Sequence, residues 1–519
     1  KMGREADRLD WERAYFMGID VGTAATKGVI IDGQCRVVAQ CSTEHGMENP
    51  RPGWYEHDAE GVWWHDVCQV SRELLRSSGI PAGQIAAVGT STLGSDCLPV
   101  DEQCRPLRRA ILYGIYARAG EEIAWLTEHY GPERVHTLFG RPICSGDVAP
   151  KILWLKHHEP EVYHRTYKFL TGSSYVTAKL TGNYVVDQFL GQASFRPLYR
   201  TDGTVNQQEC GLYCRPDQLA QARPVHGIAG TVTQAAARET GLEPGTPVIV
   251  GTGDSSAEAI STGVLEPGDM MLQFGSTLFL YYCTDRPVLD DRVRGNNFLI
   301  PGTYSLAGGT NTCGTLTKWY RDVLFPDLLR EQETGGPNAF SRMPEGLEKI
   351  PPGSGGLITL PYFAGERTPI NDPAAKGVVF GLKLTHTRRH LYRSALEAVG
   401  YSVRQHLDVI RDHRLPLKKI MAVGGGAQNG TWMQLVADIT GEPIQVAAVS
   451  VGAAYGDALM AALGAGRFQD FSQLSKYIAT ERTYQPDMEQ HQKYEPYFQM
   501  YGQLYRQTKE LMHQLDCME

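Results

Sequence analysis

The chain has 519 residues, a net charge of −8 and 56 glycines, with 42% hydrophobic and 21% charged residues. That length exceeds one core and sets an expectation of roughly two to four domains. A turn-rich globular composition excludes a disordered chain, and scattered basic residues without a sustained stripe argue against nucleic acid as a partner. Lys1–Ala14 is charged and lacks an apolar core, so it is expected to be an N-terminal extension, not a secretory signal. Apolar strands are expected at Tyr15–Val21, Lys27–Asp32 and Arg36–Ser42, joined by tight turns at Gly22 and Gly33. Val62, Val67, Val70 and Leu74 follow at helical spacing, and Ile85–Ser91 is a further strand. Pro247–Val250 runs into Gly251-Thr252-Gly253-Asp254, after which Ser255–Ser261 reads as helical. Met270–Gln273 and Leu278–Cys283 are strands flanking Gly275-Ser276-Thr277. Glu331–Gly356, rich in Gly and Pro, reads as a surface loop or insertion. Leu391, Leu396, Val399, Val403, Leu407 and Ile410 mark one face of a long helix. Strand Lys419–Val423, a helix through Trp432, Leu435, Val436 and Ile439, and strand Ile444–Ala448 complete a second half that repeats the first.

Two segments carry one carboxylate each at the mouth of an apolar run, between glycines and small hydroxyl residues: Gly18–Thr23 with Asp20, and Gly251–Ser256 with Asp254. A third, Leu272–Thr277, repeats the strand, glycine and hydroxyl pattern. Backbone N–H groups in such turns bind phosphate oxygens, and carboxylates hold Mg²⁺ or accept a hydroxyl proton. Two phosphate cradles with two aspartates suit a phosphoryl-transfer site between two similar domains. Alternatives stand beside each residue. Asp20 could be a solvated hairpin aspartate, and Asp254 a helix N-cap, a role that stabilises by about 1 kcal/mol.

Eleven cysteines, an odd number without a CxxC pair, point to reduced thiols and a cytoplasmic protein rather than a disulfide framework or zinc site. Without a run of about 18 apolar residues, no membrane span is expected.

Gly18–Lys27 (GIDVGTAATK), Gly251–Asp254 (GTGD), Tyr362–Leu382 (YFAGERTPINDPAAKGVVFGL) and Gly424–Asn429 (GGGAQN) together resemble the signatures of the FGGY family of carbohydrate kinases, in order and over about Tyr15 to Leu511. The resemblance implies an α/β fold with two ribonuclease-H-like domains of the actin/Hsp70/hexokinase superfamily flanking a catalytic cleft. Domains of 15–264 and 265–519 are expected, the first holding the sugar site, one phosphate cradle and the catalytic aspartate, the second the other cradle and the adenosine site. It implies ATP and Mg²⁺, a small sugar or polyol as acceptor, and Asp254 as general base. Gly22, Thr23, Thr26 and Lys27, with Gly275, Ser276 and Thr277, would meet the phosphates. Gly314, Gly425, Gly426 and Asn429 would meet the rest of the nucleotide. Asp20 and Asp254 would serve the metal. Gly452–Ala458 is implied to be a small-faced helix behind the adenosine segment. Gly365–Pro369 reads mainly as a turn shaping the cleft, and Trp54 as packing on either sugar or core.

Sugar-facing positions depart from the pattern. Xylulose kinases show Gln-Met-His-Gly where this chain has Leu93-Gly94-Ser95-Asp96, and relatives carry Asp or Asn where this chain has Tyr116. With Asp254 and Ser255, these residues (Gly94, Ser95, Asp96 and Tyr116) form the expected substrate set. A phenol accepts hydrogen bonds more weakly than a carboxylate, so an atypical substrate is expected. Packing of Tyr116 against the helix of Ile123 and Leu126 is the competing role. Two other function classes stand open: a kinase homologue that binds without turnover as a sensor, and an actin-like ATPase. A homodimer is left open as the assembly.

Overall fold

The computed structural model describes residues 11–112, 118–449 and 451–518. Two compact units emerge. The first takes the chain up to Leu265 together with Asn296–Tyr304 and Val451–Ile478; the second takes Glu266–Gly295, Ser305–Ser450 and the chain from Ala479 onward.

In the first unit, β1 (Tyr15–Val21), β2 (Ala25–Asp32) and β3 (Val37–Glu44) form an antiparallel meander, with β1 also parallel to β4 (Ile85–Thr92). The sheet continues to β6 (Pro247–Ile249) and ends on β5 (Ile228–Thr231). Phe16, Met17, Ile19 and Val21 are all buried, so both faces of β1 are covered, which is why its sequence is mainly apolar, interrupted by Asp20, and not an alternation. Helix α1 (His65–Ser78) lays Val67, Val70 and Leu74 on β2 and β3 and stops at the left-handed Gly79.

Helix Ala453–Gly464 belongs to this unit by its packing, although it lies late in the chain. Its expected partner was the Gly424–Asn429 segment; it seats instead on β1, β4 and α2 (Asp254–Ser261). Glycines make the contact flush: a Cβ on Gly18 would stand 1.9 Å from the Ala454 carbonyl, one on Gly89 2.3 Å from that of Asp457, and one on Gly456 1.9 Å from that of Ala257.

The second unit repeats the plan. Its β7 (Asp269–Phe274) pairs antiparallel with β8 (Leu278–Thr284) and parallel with β11 (Lys419–Val423). The order runs β9 (Arg294–Asn297), β10 (Tyr304–Thr310), β8, β7, β11, β12 (Ile444–Ala447), β13 (Thr480–Tyr484). Helices α3 (Gly314–Leu324), α4 (Arg388–Asp412) and α5 (Gly430–Thr440) join the same core, where Leu396, Val399, Val403, Leu407 and Ile410 of α4 are buried as their spacing predicts. The expected loop Glu331–Gly356 contains helix Ala339–Arg342 and a 3₁₀ turn at Leu347–Lys349. The correction has a simple cause: Ala339, Met343 and Leu347 recur every four residues and are wholly buried, so burial orders a segment whose glycines and prolines suggested otherwise.

Among the described residues, no helix is long and apolar enough to cross a membrane. The cysteines are free thiols; Cys210 and Cys214 approach to 3.7 Å between sulfurs.

Candidate active site

The first turn follows β1. Gly22 donates its N–H to the Ala25 carbonyl at 3.0 Å, closing the turn that carries Thr23. His45, which the sequence did not single out, braces it: one ring nitrogen lies 2.9 Å from the Gly22 carbonyl and the other 2.8 Å from Asp66 Oδ2. Burial opposes charge on this imidazole most strongly, but the Asp66 hydrogen bond and charge together with the backbone bonds of the turn outweigh it, and the pKa of His45 rises. Thr26, expected at the phosphates, is fully buried and donates its hydroxyl to the same Asp66 oxygen at 2.9 Å. Its single proton is spent there, so it braces the turn from behind. Lys27 is exposed and faces Asp20 and Glu258 electrostatically.

Three carboxylates gather beyond this turn. Asp20 is nearly buried, and Ser91 of β4 donates to its Oδ1 at 2.9 Å. Desolvation raises the Asp20 pKa to about 8, with the charge on Asp254 adding to it and the Ser91 hydrogen bond acting against it. Asp254 opens α2, but the N-cap position belongs to Gly253 and no side chain caps the helix. Among the described residues, Asp254 Oδ1 accepts only its neighbour's N–H, from Ser255 at 2.6 Å. Its pKa is pushed up to about 6 by desolvation, opposed by that hydrogen bond. One turn on, Glu258 rises to about 7 through burial and then through Asp254. Asp457, absent from the sequence expectations, lies wholly buried behind Ser91 at 2.6 Å.

The loop after β4 comes close to Asp254 at one point: a Cβ on Gly94 would stand 3.6 Å from Gly253 Cα. Ser95 is held by Lys151, whose ammonium donates to the Ser95 carbonyl at 2.6 Å. Asp96, expected to meet substrate, is fully buried; desolvation raises its pKa well above the usual range, against the pull of Lys151. A group without exposure cannot touch a sugar as it stands, so Asp96 underlies the loop. Tyr116 lies outside the described residues. Trp54 packs edge-on against Trp154 at 5.6 Å and under the Arg118 guanidinium at 4.0 Å. Arg118 is held in turn by Glu56. Trp54 and Arg118, with Lys151 and Asp147, line a void of only about 20 Å³.

In the second unit, Gly275, Gly314, Gly425, Gly426 and Asn429 line one cleft of about 960 Å³. The Gly275 carbonyl accepts the Gly314 N–H at 2.8 Å, and a Cβ on Gly314 would stand 2.6 Å from that carbonyl. The turn is therefore locked to the start of α3. Ser276 lines the same cleft and takes N–H bonds from Cys313 and Thr315 on its carbonyl, while Thr277 is not in the lining. Asn429 caps α5 through Trp432 N–H at 3.1 Å. Gly424 adopts φ +90°, and Gly426 lies where a Cβ would meet Phe274 at 2.8 Å. Asn338, Phe340, Ser341 and Pro344, from the segment read as a loop, form another wall. A cleft of this size with a glycine-rich floor and an aromatic wall is shaped for a nucleotide. Nearby, Glu366 accepts N–H bonds from Asn311 and Arg367, and Arg367 donates to the Thr310 carbonyl. The Gly365–Pro369 turn thus ties down the chain that leads into α3.

Among the described residues, no group of three His, Cys, Asp or Glu side chains could hold a metal alone. Mg²⁺ keeps several waters and takes one or two carboxylates, a demand Asp20 fits. One of its oxygens is tied to Ser91, and Oδ2 lies 4.0 Å from the Cβ position of Gly22, towards the turn.

Residues 15–261 match the N-terminal domain, and residues 270–465 the C-terminal domain, of the FGGY family of carbohydrate kinases. A xylulose kinase of Bacillus subtilis (strain 168) is 27% identical over 96% of this chain and 98% of its own. A gluconokinase of Bacillus licheniformis is 24% identical over 93% of each. The crystal structure of xylulose kinase from Rhodospirillum rubrum superposes with a TM-score of 0.88 at 29% identity, covering 96% of this chain and 100% of that one.

Proposed function

The chain belongs to the FGGY family of carbohydrate kinases, and on that premise we propose that it transfers the γ-phosphoryl group of ATP to a hydroxyl of a small sugar or polyol with Asp254 as general base. Its enzyme class, a phosphotransferase acting on a carbohydrate, and its two-domain actin/hexokinase-like α/β fold follow from the family and its solved members. The observation that carries the finer reading is the state of Asp254. It sits between the Gly253 cap and Ser255, free of a capping bond, with a pKa near 6 set by desolvation. A base is most useful when its pKa lies near the working pH.

In this reading the acceptor hydroxyl gives its proton to Asp254 while its oxygen attacks the γ-phosphorus. The bond from that phosphorus to the β-bridging oxygen breaks, ADP leaves, and Asp254 later returns the proton to water. The cleft of the second unit takes adenosine, with Gly314, Gly425, Gly426 and Asn429 against it; the turns at Gly22–Thr23 and Gly275–Thr277 supply N–H donors to the phosphates, and Lys27 adds a cation. Asp20 would hold Mg²⁺ directly or through water, and the ion would neutralise phosphate charge.

The relatives named xylulose kinase and gluconokinase bracket the acceptor class, a small polyhydroxylated carbon chain. Gly94 and Ser95, standing where xylulose kinases carry Met and His, place D-xylulose itself in question. ADP release should be measured with D-xylulose, gluconate, glycerol and a panel of ketopentoses and alditols. ADP formation that depends on one of them is expected. ATP hydrolysis indifferent to every acceptor, or binding without turnover, would overturn the proposal.

A further inference from the structure

Asp457 has no place in the reaction just described, yet it lies fully buried beside it. It lies in helix Ala453–Gly464 with no exposure, and its Oδ2 is 2.6 Å from Ser91 Oγ. Ser91 Oγ is in turn 2.9 Å from Asp20 Oδ1. The sheet register makes Ser91 the hub. It stands opposite Asp20 in β1 on one side and opposite Thr252, two residues before Asp254, on the other. Three glycines bring the helix close enough, since a Cβ on Gly18, Gly89 or Gly456 would collide with facing backbone.

Hydrogen-bond accounting decides what this chain of groups does. A serine hydroxyl owns one proton. Placed between two carboxylates that were both ionised, it could satisfy only one, and the other would be a bare buried charge costing several kcal/mol. The arrangement balances when one of the two is a neutral acid, and Asp457, which has no exposure where Asp20 keeps some, is the one cut off from water and ions: it donates to Ser91 Oγ, leaving the Ser91 proton for Asp20. Its other oxygen, Oδ1, has no hydrogen-bond partner among the described residues, which a neutral carboxyl tolerates better than a carboxylate does.

We propose that Asp457 is a positioning residue for Asp20: through Ser91 it fixes the Asp20 carboxylate so that Oδ2 faces the Gly22 turn. The same direction follows from the surroundings. Burial raises the Asp457 pKa well above the usual range, and Asp20 and Asp254 add to it. The inference rests on the reading of Asp20 as a group that serves the phosphates and their metal ion.

Two measurements test it. Infrared spectra of the intact protein, wild type minus Asp457→Asn, should show the carbonyl stretch of a buried neutral carboxylic acid lost on substitution. This arm needs no substrate, so it stands even if no sugar is turned over. Second, Mn²⁺ affinity in the presence of ADP, read by electron paramagnetic resonance, and kcat should be compared in Asp457→Ala, Ser91→Ala, the double variant and Asp457→Asn. Each alanine change should weaken Mn²⁺ binding and lower kcat by about tenfold, and the double variant should be no worse than either, because groups acting in series are not additive. Asp457→Asn keeps an N–H donor for Ser91 and should recover to within about threefold. Absence of the acid band, losses that multiply in the double variant, or an asparagine variant as impaired as the alanine one would each overturn the proposal. So would an alanine variant that loses thermal stability alone.

Discussion

At the scale of single residues, the competition at Asp254 is between holding a helix end and holding a proton. The structure assigns the cap to Gly253 and leaves Asp254 in the first turn, where its one hydrogen bond is local. Asp254→Asn should therefore keep sugar affinity and lower kcat by at least about 10²-fold, since it preserves shape and removes only the proton acceptor. Thermal unfolding should barely move; a Tm drop matching a lost cap of about 1 kcal/mol with kcat intact would show that capping was its role. The pH dependence has a definite sign. A base works when deprotonated, and burial raises this carboxyl from 3.8 to about 6. The rate should thus be full above that value and fall tenfold per unit as pH drops below about 6. An acid limb near the ordinary aspartate value would mean that Asp254 is not the base.

Elements position these residues by close approach, and that makes glycine substitutions discriminating. Gly425 has open space around it within the nucleotide cleft, whereas Gly18 faces the Ala454 carbonyl at 1.9 Å from its would-be Cβ. Gly425→Phe should raise the Kd for ADP by tenfold or more, roughly the loss of one good contact, with Tm nearly unchanged. Gly18→Ala should instead destabilise the first unit by about 1–3 kcal/mol through forced separation of β1 and the helix above it. Nucleotide titration and calorimetric melting of both variants separate the two effects, and a stable Gly18→Ala protein would contradict the flush packing. Phe340→Ala removes the aromatic wall and should weaken nucleotide binding by a stacking contribution of about 1–3 kcal/mol; unchanged affinity would leave the base elsewhere in the cleft. Much of this was legible beforehand. β1 is Tyr15–Val21 in sequence and structure alike, because a strand buried on both faces writes itself as a mainly apolar run, here carrying Asp20 and ended by glycine. Periodicity likewise located α1 and α4. What stayed hidden depends on contacts distant in sequence. Asp457 sits in a stretch of alanines and glycines whose meaning appears only when it meets Ser91. Thr26 carries the hydroxyl a phosphate would want, but Asp66, on helix α1 and itself bonded to His45, claims it. The cleft wall from Asn338 to Pro344 lies among glycines and prolines that mask a four-residue apolar repeat.

For the molecule as a whole, the decisive fact is a division of labour. The carboxylates Asp20 and Asp254, with Ser91, belong to the first unit, and the cleft floored by Gly275, Gly314, Gly425 and Gly426 is built from the second. Phosphoryl transfer demands that the reacting atoms come within about 3–3.5 Å in line, with water kept away from the γ-phosphate. If the reaction draws on both units, closure onto the substrates, in the manner of enzymes that close a domain to commit a reaction, is the expected behaviour. Sugar and a non-hydrolysable ATP analogue together should therefore reduce the radius of gyration measured by small-angle scattering, and should do so more than either alone. The Asp254→Asn protein should compact equally, because its substitution removes a proton acceptor and not a binding contact. If wild type and variant both scatter identically with and without the pair of ligands, closure is not how this chain assembles its site. If only the variant fails to compact, Asp254 holds the substrate as well as its proton, and the loss of kcat in that variant would have to be reassigned to binding.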